Sequence, residues 1–473
     1  MQKTVQQIHE ELQSGATTVE ALVAQSKKII AEKDGDIHAL LGMYSDSFIT
    51  SQITKAQEMF TNGEATLLTG IPIVLKDNIL VKGEIATGAS KILEQYVATY
   101  DSTVVKKLKE AGAVLIGRAN MDEFAMGGST ENSAYGVTKN PHAITKVAGG
   151  SSGGSAAVVA YGGVLVSLGS DTGGSIRQPA SFCGIVGLKT TYGNVSRFGI
   201  MAMGSSLDQV GPFGNTVADV EAVYTVLSTH DPMDSTSLPE IERQKSAKSG
   251  GLKKIIGVPR SFVSRDGVNK EVLANFESSL EKLAQAGYVI KDIEIHHLEK
   301  SLSAYYILMF AEVSSNLARY DGIRYGLSHP GETSIRSYFE SRTSGFGPEV
   351  RRRVLLGTYV LSSGYYDAYY NKANIVRALL KKEFERVFND VDVIVTPTSP
   401  IPAFAIGEKS SDPLSMYLAD IFTVPVNIVG VPAISVPSGT TAEGLPLGIQ
   451  FIASHMREDI LFAVGKDFEK LQA

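Results

Sequence analysis

Apolar residues recur at helical spacing at Leu22, Val23 and Ile29, behind Thr18 as an N-cap, and this predicts a helix over 18–28. Gly70 then precedes a short continuous apolar run, Ile71 to Leu75, which predicts a buried strand with Lys76 at its end. Ser102 caps a second helix through Glu110, Gly112 stops it, and Ala113 to Ile116 reads as another buried strand. This is α/β rhythm. A helix of small residues over Ser155 to Tyr161 follows, then strands at Val164 to Leu168 and Ile185 to Leu188, and a helix from Thr216 to Leu227.

Beyond residue 230 the pattern changes. A polar stretch, His230 to Gly251, leads into long helical periodicities at Lys270 to Ala286, Ser303 to Tyr320 and Pro348 to Phe388. Strand signals return at Val391 to Val395, Ala433 to Val436 and Gly448 to Ile452, and a final helix is expected from Arg457 to Leu471. The expected fold is α/β: one large mixed β-sheet flanked by helices on both faces, with a mostly helical cap insertion. Residues 1–229 and 390–473 would form the α/β core and 230–390 the cap, within a single domain of 473 residues. Strand order does not follow from the pattern.

Composition narrows the function. Lys and Arg number 44 against 50 Asp and Glu, and a net charge of −6 argues against a chain built to grip phosphate backbones. The single cysteine, Cys183, excludes an intramolecular disulfide and cysteine-rich metal sites, and it fits a reducing cytosol. Met1 to Gly15 carries no apolar core of signal-peptide length, and uncharged runs are broken before the length of a membrane span, so the expectation is a cytoplasmic protein without membrane contact. Glycine stands at 46 residues, with the excess between Gly127 and Gly214. Something there uses backbone more than side chains.

Three segments carry candidate chemistry: Ile73-Val74-Leu75-Lys76-Asp77-Asn78, Gly149-Gly150-Ser151-Ser152-Gly153-Gly154-Ser155 and Gly169-Ser170-Asp171-Thr172-Gly173-Gly174-Ser175-Ile176-Arg177. The second satisfies G-x-S-x-G, but a turn, not a strand, precedes it. Asp171-Thr172-Gly173 has the form of an aspartic-protease triplet without the second copy that chemistry needs. The phosphate-loop ending Gly-Lys-Ser/Thr is absent. Only His142 of eight histidines falls near these segments, so a Ser-His-Asp triad has no obvious base. Lys76 is an alternative base if its amine is held dry, since desolvation lowers a lysine pKa. On position alone the stronger reading is a solvated strand end paired with Asp77.

Taken together and in this order, the three segments resemble the amidase signature family. The family uses a Ser-Ser-Lys triad, and the resemblance implies Lys76 as base, Ser151 as bridging serine after a cis peptide, and Ser175 as the acyl-forming nucleophile. Backbone amides of Thr172, Gly173, Gly174 and Ser175 would then form the oxyanion hole. Asn120 to Ser129, Glu312 to Gly322 and Ser362 to Tyr370 resemble the glutaminase branch of that family, which serves tRNA-dependent amidotransferases. Thr190 departs from the proline many relatives carry there. The resemblance implies glutamine as substrate, with Arg353 and Asp420 for its α-carboxylate and α-ammonium and Tyr305 or Tyr306 nearby. Read from the residues alone, Arg351, Arg352 and Arg353 could equally be a solvated helix face, and the adjacent tyrosines packing. The resemblance further implies a heterotrimer with B and C subunits, tRNA contacted mainly through B, and ATP and Mg at the partner with no cofactor in this chain. A free-standing amidase acting on small amides, or a non-catalytic scaffold that kept the fold, are the competing functions.

Overall fold

Side-chain caps start many of the helices. Thr18, Ser102 and Thr216 each accept a backbone N–H of the first helical turn, beginning helices Val19–Ile37, Thr103–Glu110 and Val217–Leu227. The computed structural model describes residues 3–246, 251–410 and 412–472, so part of the polar stretch, 247–250, lies outside the described residues. The strands are β1 (Leu40–Met43), β2 (Pro72–Lys76), β3 (Val114–Ala119), β4 (Lys139–Asn140), β5 (Ala143–Val147), β6 (Val166–Asp171) and β7 (Val186–Lys189). They continue as β8 (Gln209–Gly214), β9 (Ile255–Val258), β10 (Val289–Asp292), β11 (Val393–Pro397), β12 (Ala433–Thr440) and β13 (Pro446–Ala453). Eleven of them form one mixed sheet in the order β1-β3-β2-β6-β8-β7-β12-β13-β11-β9-β10, flanked by helices as expected, while β4 and β5 pair separately.

Two features position the site. β2 runs parallel to both β3 and β6, with Leu75 opposite Leu168, so the carboxyl ends of β2 and β6 lie side by side. Ligands of open α/β sheets collect at such ends. The second feature is the cap. Helix Ser301–Asn316 packs against Pro348–Val360 and Lys372–Val387. Gly357 permits the first of these contacts, because a Cβ there would run into the Phe310 carbonyl oxygen.

The cap is smaller than the pattern implied. β9 and β10 fall inside the stretch read as helical insertion, yet they extend the edge of the main sheet beside β11. Four-residue strands among long helices give little period-two signal, and pairing with β11 overrides the local pattern. The run Pro348 to Phe388 is likewise two helices, broken at Ser362–Tyr366, with a π-helical turn at Asp367–Asn371. Helices Val5–Ser14 and Asp46–Asn62 and strands β1 and β8 were not anticipated. Among the described residues no helix is long and apolar enough to cross a membrane.

Candidate active site

Lys76 ends β2 with no exposed surface, and Asp77 turns away to pair with Arg118 at 2.6 Å. The strand-end pair that position alone allowed therefore does not form. Instead Lys76 Nζ lies 2.7 Å from Ser151 Oγ and 2.8 Å from Ser152 Oγ. Burial pulls its ammonium down to about 7, against the opposing pull of Asp122, Asp171 and Asp208. A lysine so placed is neutral for a substantial fraction of the time near pH 7.

The serine loops are held by backbone bonds to buried side chains. The Gly150–Ser151 peptide is cis. Asp122 accepts amide N–H groups from Thr130 at 2.8 Å and Asn132 at 3.0 Å, and its own amide donates to the Ser151 carbonyl at 3.2 Å. Gln178 clasps three loops at once: its Oε1 accepts from Gly150 N at 3.0 Å, its Nε2 donates to Gly128 O at 2.7 Å, and its amide donates to Gly174 O at 2.8 Å. The peptide bearing Ser151 is thereby tied to the turn bearing Ser175.

That turn leaves β6 through Gly174, whose φ of 138° only glycine adopts readily. Asp171 and Arg177 brace it from beneath. Both are fully buried and paired at 2.9 Å, and Arg177 also donates to Thr423 O, Gln450 Oε1 and Asn427 Oδ1. Burial alone would raise the Asp171 carboxyl, but Arg177 holds it down at about 2. Asp171 Oδ1 takes the Gly174 N–H at 2.9 Å. This corrects one expectation, because an amide spent on Asp171 is not aimed at a substrate oxygen. The amides of Thr172, Gly173 and Ser175 donate to no protein acceptor among the described residues. Thr172 Oγ1 is fixed on Asp208 at 2.7 Å, and Thr423 Oγ1 on Gly173 O at 2.6 Å.

Ser175 borders a small, tightly walled cavity that is also lined by Gly128, Tyr305, Tyr306, Arg353, Tyr417 and Asp420. Arg353 is buried while its neighbours Arg351 and Arg352 are exposed. Its Nε is 2.8 Å from Glu349 Oε1, and its guanidinium lies beside the rings of Tyr306 and Tyr417, which stack with centroids 4.0 Å apart. Burial opposes the charge, yet Glu349 keeps Arg353 protonated. Asp420 borders the same cavity. Burial pushes its carboxyl up to about 8 despite Arg353. Burial likewise raises the Tyr305 and Tyr306 hydroxyls, so both stay protonated. One cavity thus presents the turn bearing Ser175, a fixed cation and a carboxyl group that has no hydrogen-bond partner among the described residues.

Comparison with known proteins agrees. Residues 21–462 match the amidase family. The chain belongs to the amidase family. It is 48% identical over 472 residues to the A subunit of glutamyl-tRNA(Gln) amidotransferase from Microcystis aeruginosa, covering 99% of this chain and 97% of that one. It is 49% identical to the protein of the same name from Caldanaerobacter subterraneus subsp. tengcongensis, covering 99% and 96%. The crystal structure of the Thermotoga maritima protein of that name superposes with a TM-score of 0.79 at 40% identity, covering 98% of this chain and 94% of the other. A 6-aminohexanoate cyclic dimer hydrolase shares the fold at 25% identity with a TM-score of 0.83, covering 99% and 97%.

In this amidase, Lys76 and Ser151 meet directly, and Ser175, Arg353, Asp420, Tyr305 and Tyr306 share one cavity. His142 is elsewhere, its Nε2 against the Cys183 carbonyl at 3.0 Å. Sequence reasoning missed Ser152 as a second partner of Lys76, Glu349 behind Arg353, Tyr417, Gln178 and Thr423. Only Glu349 left a signal: it stands four residues before Arg353, the spacing of an ion pair on one helix face. Among the described residues, no group of three or more His, Cys, Asp or Glu side chains is placed to hold a metal ion.

Proposed function

We propose that this chain is the glutaminase subunit of a tRNA-dependent amidotransferase, releasing ammonia from glutamine for a partner that converts Glu-tRNA(Gln) to Gln-tRNA(Gln). The observation that carries the reading is Lys76: fully buried, titrating at about 7 and bonded to Ser151. Ser175 Oγ attacks the side-chain carboxamide carbon of glutamine, and its proton passes through the Ser151 hydroxyl to the neutral Lys76 amine. The tetrahedral oxyanion is received by the amides of Thr172, Gly173 and Ser175. Collapse breaks the C–N bond, Lys76 returns the proton through Ser151 to the departing nitrogen, and ammonia leaves a γ-glutamyl ester on Ser175. Water, deprotonated by the same relay, then cleaves the ester and releases glutamate.

Recognition of glutamine falls to the cavity. With Nε committed to Glu349, the outer guanidinium nitrogens of Arg353 take the α-carboxylate, and Asp420 takes the α-ammonium. Tyr305 and Tyr306 wall the side chain. In this reading the whole chain is one cytoplasmic amidase unit with its helical cap, working with B and C subunits; B carries most of the tRNA contact and the ATP and Mg chemistry.

The alternative, a free-standing amidase for small amides, draws on the fold shared with the cyclic dimer hydrolase. A built-in cation and carboxyl group beside Ser175 favour an α-amino acid over a simple amide. The deciding experiment is a glutaminase assay on the purified chain, alone and with B and C subunits, ATP and glutamyl-tRNA. Weak activity alone and marked stimulation in the complex are expected; full activity on simple amides, indifferent to partners, would establish the alternative.

A further inference from the structure

Glu123 is buried, and among the described residues its carboxylate hydrogen-bonds with Ser90 and Gly347 and with no residue of the triad. One carboxylate oxygen meets the Ser90 hydroxyl. The other accepts the Gly347 N–H at 2.8 Å. Gly347 is the N-cap of helix Pro348–Val360, the helix that carries Glu349 and Arg353. Glu123 thus accepts the N–H of the N-cap residue itself, the bond that the N3 carboxylate of a capping box would make, and does so from a distant point in the chain. Ser90 Oγ also reaches the Gly345 carbonyl at 3.2 Å, so the junction grips both sides of the segment entering the helix.

The other end of the junction is the serine site. Glu123 follows Asp122, which gathers the amides of Thr130 and Asn132 and donates to the Ser151 carbonyl. After Glu123 the backbone takes positive φ at Phe124 (47°) and Ala125 (63°), a conformation that non-glycine residues keep only when their surroundings impose it. Phe124 is wedged edge-on against Phe346, immediately before Gly347, and stacks on Tyr320 at 4.8 Å. Ala125 is thereby delivered to the wall of the cavity that Arg353 also lines.

We infer that Glu123 is a positioning residue for the amino-acid pocket, fixing the start of the Arg353 helix relative to the serine loops. The inference rests on the proposed glutamine pocket and adds that its cation is set by a carboxylate outside the cavity lining. Loss of the junction lets the helix start drift while Ser175, Ser151 and Lys76 keep their own supports. The burden falls on substrate binding and spares chemistry.

The test compares Glu123→Ala, Glu123→Gln and Gly347→Ala in the full chain, with glutamine and with a small uncharged amide. Glu123→Ala should raise KM for glutamine at least tenfold while changing kcat/KM for the uncharged amide less than threefold. Glu123→Gln keeps an acceptor for Gly347 and should recover most of the loss. Gly347→Ala attacks the junction from the other side, because a Cβ there would run into Glu123 Oε2, and it should reproduce the selective KM effect. Should Glu123→Ala fail to fold, Gly347→Ala decides. An unchanged glutamine KM in the folded variants, or equal losses on both substrates, would overturn the inference. Arg353→Ala run alongside separates the two readings: if it too affects both substrates equally, the glutamine pocket itself is wrong.

Discussion

Arg353 Nε lies 2.8 Å from Glu349 Oε1, one helical turn back, and Tyr417 donates its hydroxyl to that same oxygen at 3.0 Å. The cation is therefore preorganised: one edge of the guanidinium is held before any ligand arrives, and the rings of Tyr306 and Tyr417 fix its plane. Removing one member of a buried ion pair typically costs about 3–5 kcal/mol. Arg353→Ala should accordingly raise the glutamine KM by about a hundredfold or more and leave hydrolysis of an uncharged amide within a few fold. Glu349→Gln strands the cation instead. That variant should melt lower when empty and recover more on glutamine binding than the parent does, because the ligand carboxylate supplies the missing charge; ligand-dependent thermal shifts measure both. Equal shifts in variant and parent would show that Glu349 does not set the charge of the pocket.

Ser151, Ser175 and Lys76 should fail as a unit. Each single alanine variant is expected to abolish nearly all glutaminase turnover, and the double variants to lose little more, as for any relay whose members act only together. Ser152 supplies the contrast. Its hydroxyl donates to the Ser170 carbonyl at 3.1 Å, so it accepts one Nζ–H of Lys76 and leaves the amine lone pair for Ser151. Losing one orienting hydrogen bond costs about 1 kcal/mol, and Ser152→Ala should slow kcat roughly fivefold. A Ser152→Ala defect as deep as that of Ser151→Ala would exchange their roles.

The pH dependence follows from Lys76. Its folded pKa, about 7, lies below the ordinary 10.5 because burial penalises the ammonium. The base is lost as pH falls through about 7, so kcat at saturating glutamine, where the bound α-ammonium already holds Asp420 ionised, should drop on the acid side with an apparent pKa near that value. Stability carries the matching sign. Between about 7 and 10.5 the unfolded chain holds more protons at this site than the folded one, so raising pH across that window relieves the burial penalty. Lys76→Met should be inactive, and its stability should rise less with pH over this window than the parent's, as read from denaturant midpoints at pH 6.5 and 9. A profile flat from pH 6 to 8 would remove lysine as the base.

Much of the site was legible because its members sit at element ends that local pattern marks. Lys76 closes an apolar strand, and the glycine-rich turns stand out against it. The split between Lys76 as buried base and as solvated end was decided only by pairing, since Arg118, 41 residues away, claims Asp77. Arg353 could not be told from Arg351 and Arg352 until the cap helix was packed on Ser301–Asn316. β9 and β10 were illegible for a related reason: each is four residues long and owes its state to β11. Gln178 and Thr423 act through contacts 28 and 250 residues away, which no local period encodes.

Asp420 gives a last, separate test. Burial raises its carboxyl to about 8, so at pH 7 most molecules carry it protonated. An α-ammonium placed against it favours the carboxylate, and the proton must leave on binding. Glutamine binding to Ser175→Ala, which blocks turnover, should therefore release most of one proton per site at pH 7. Calorimetry in two buffers of different ionisation enthalpy measures this directly. Apparent affinity should increase as pH rises from 6.5 to 8, because less work is spent removing the proton. Asp420→Asn on the same background should abolish the release and weaken binding, with an affinity no longer sensitive to pH over that range. Proton release that persists in Asp420→Asn would place the titrating group elsewhere and leave the α-ammonium without its assigned partner.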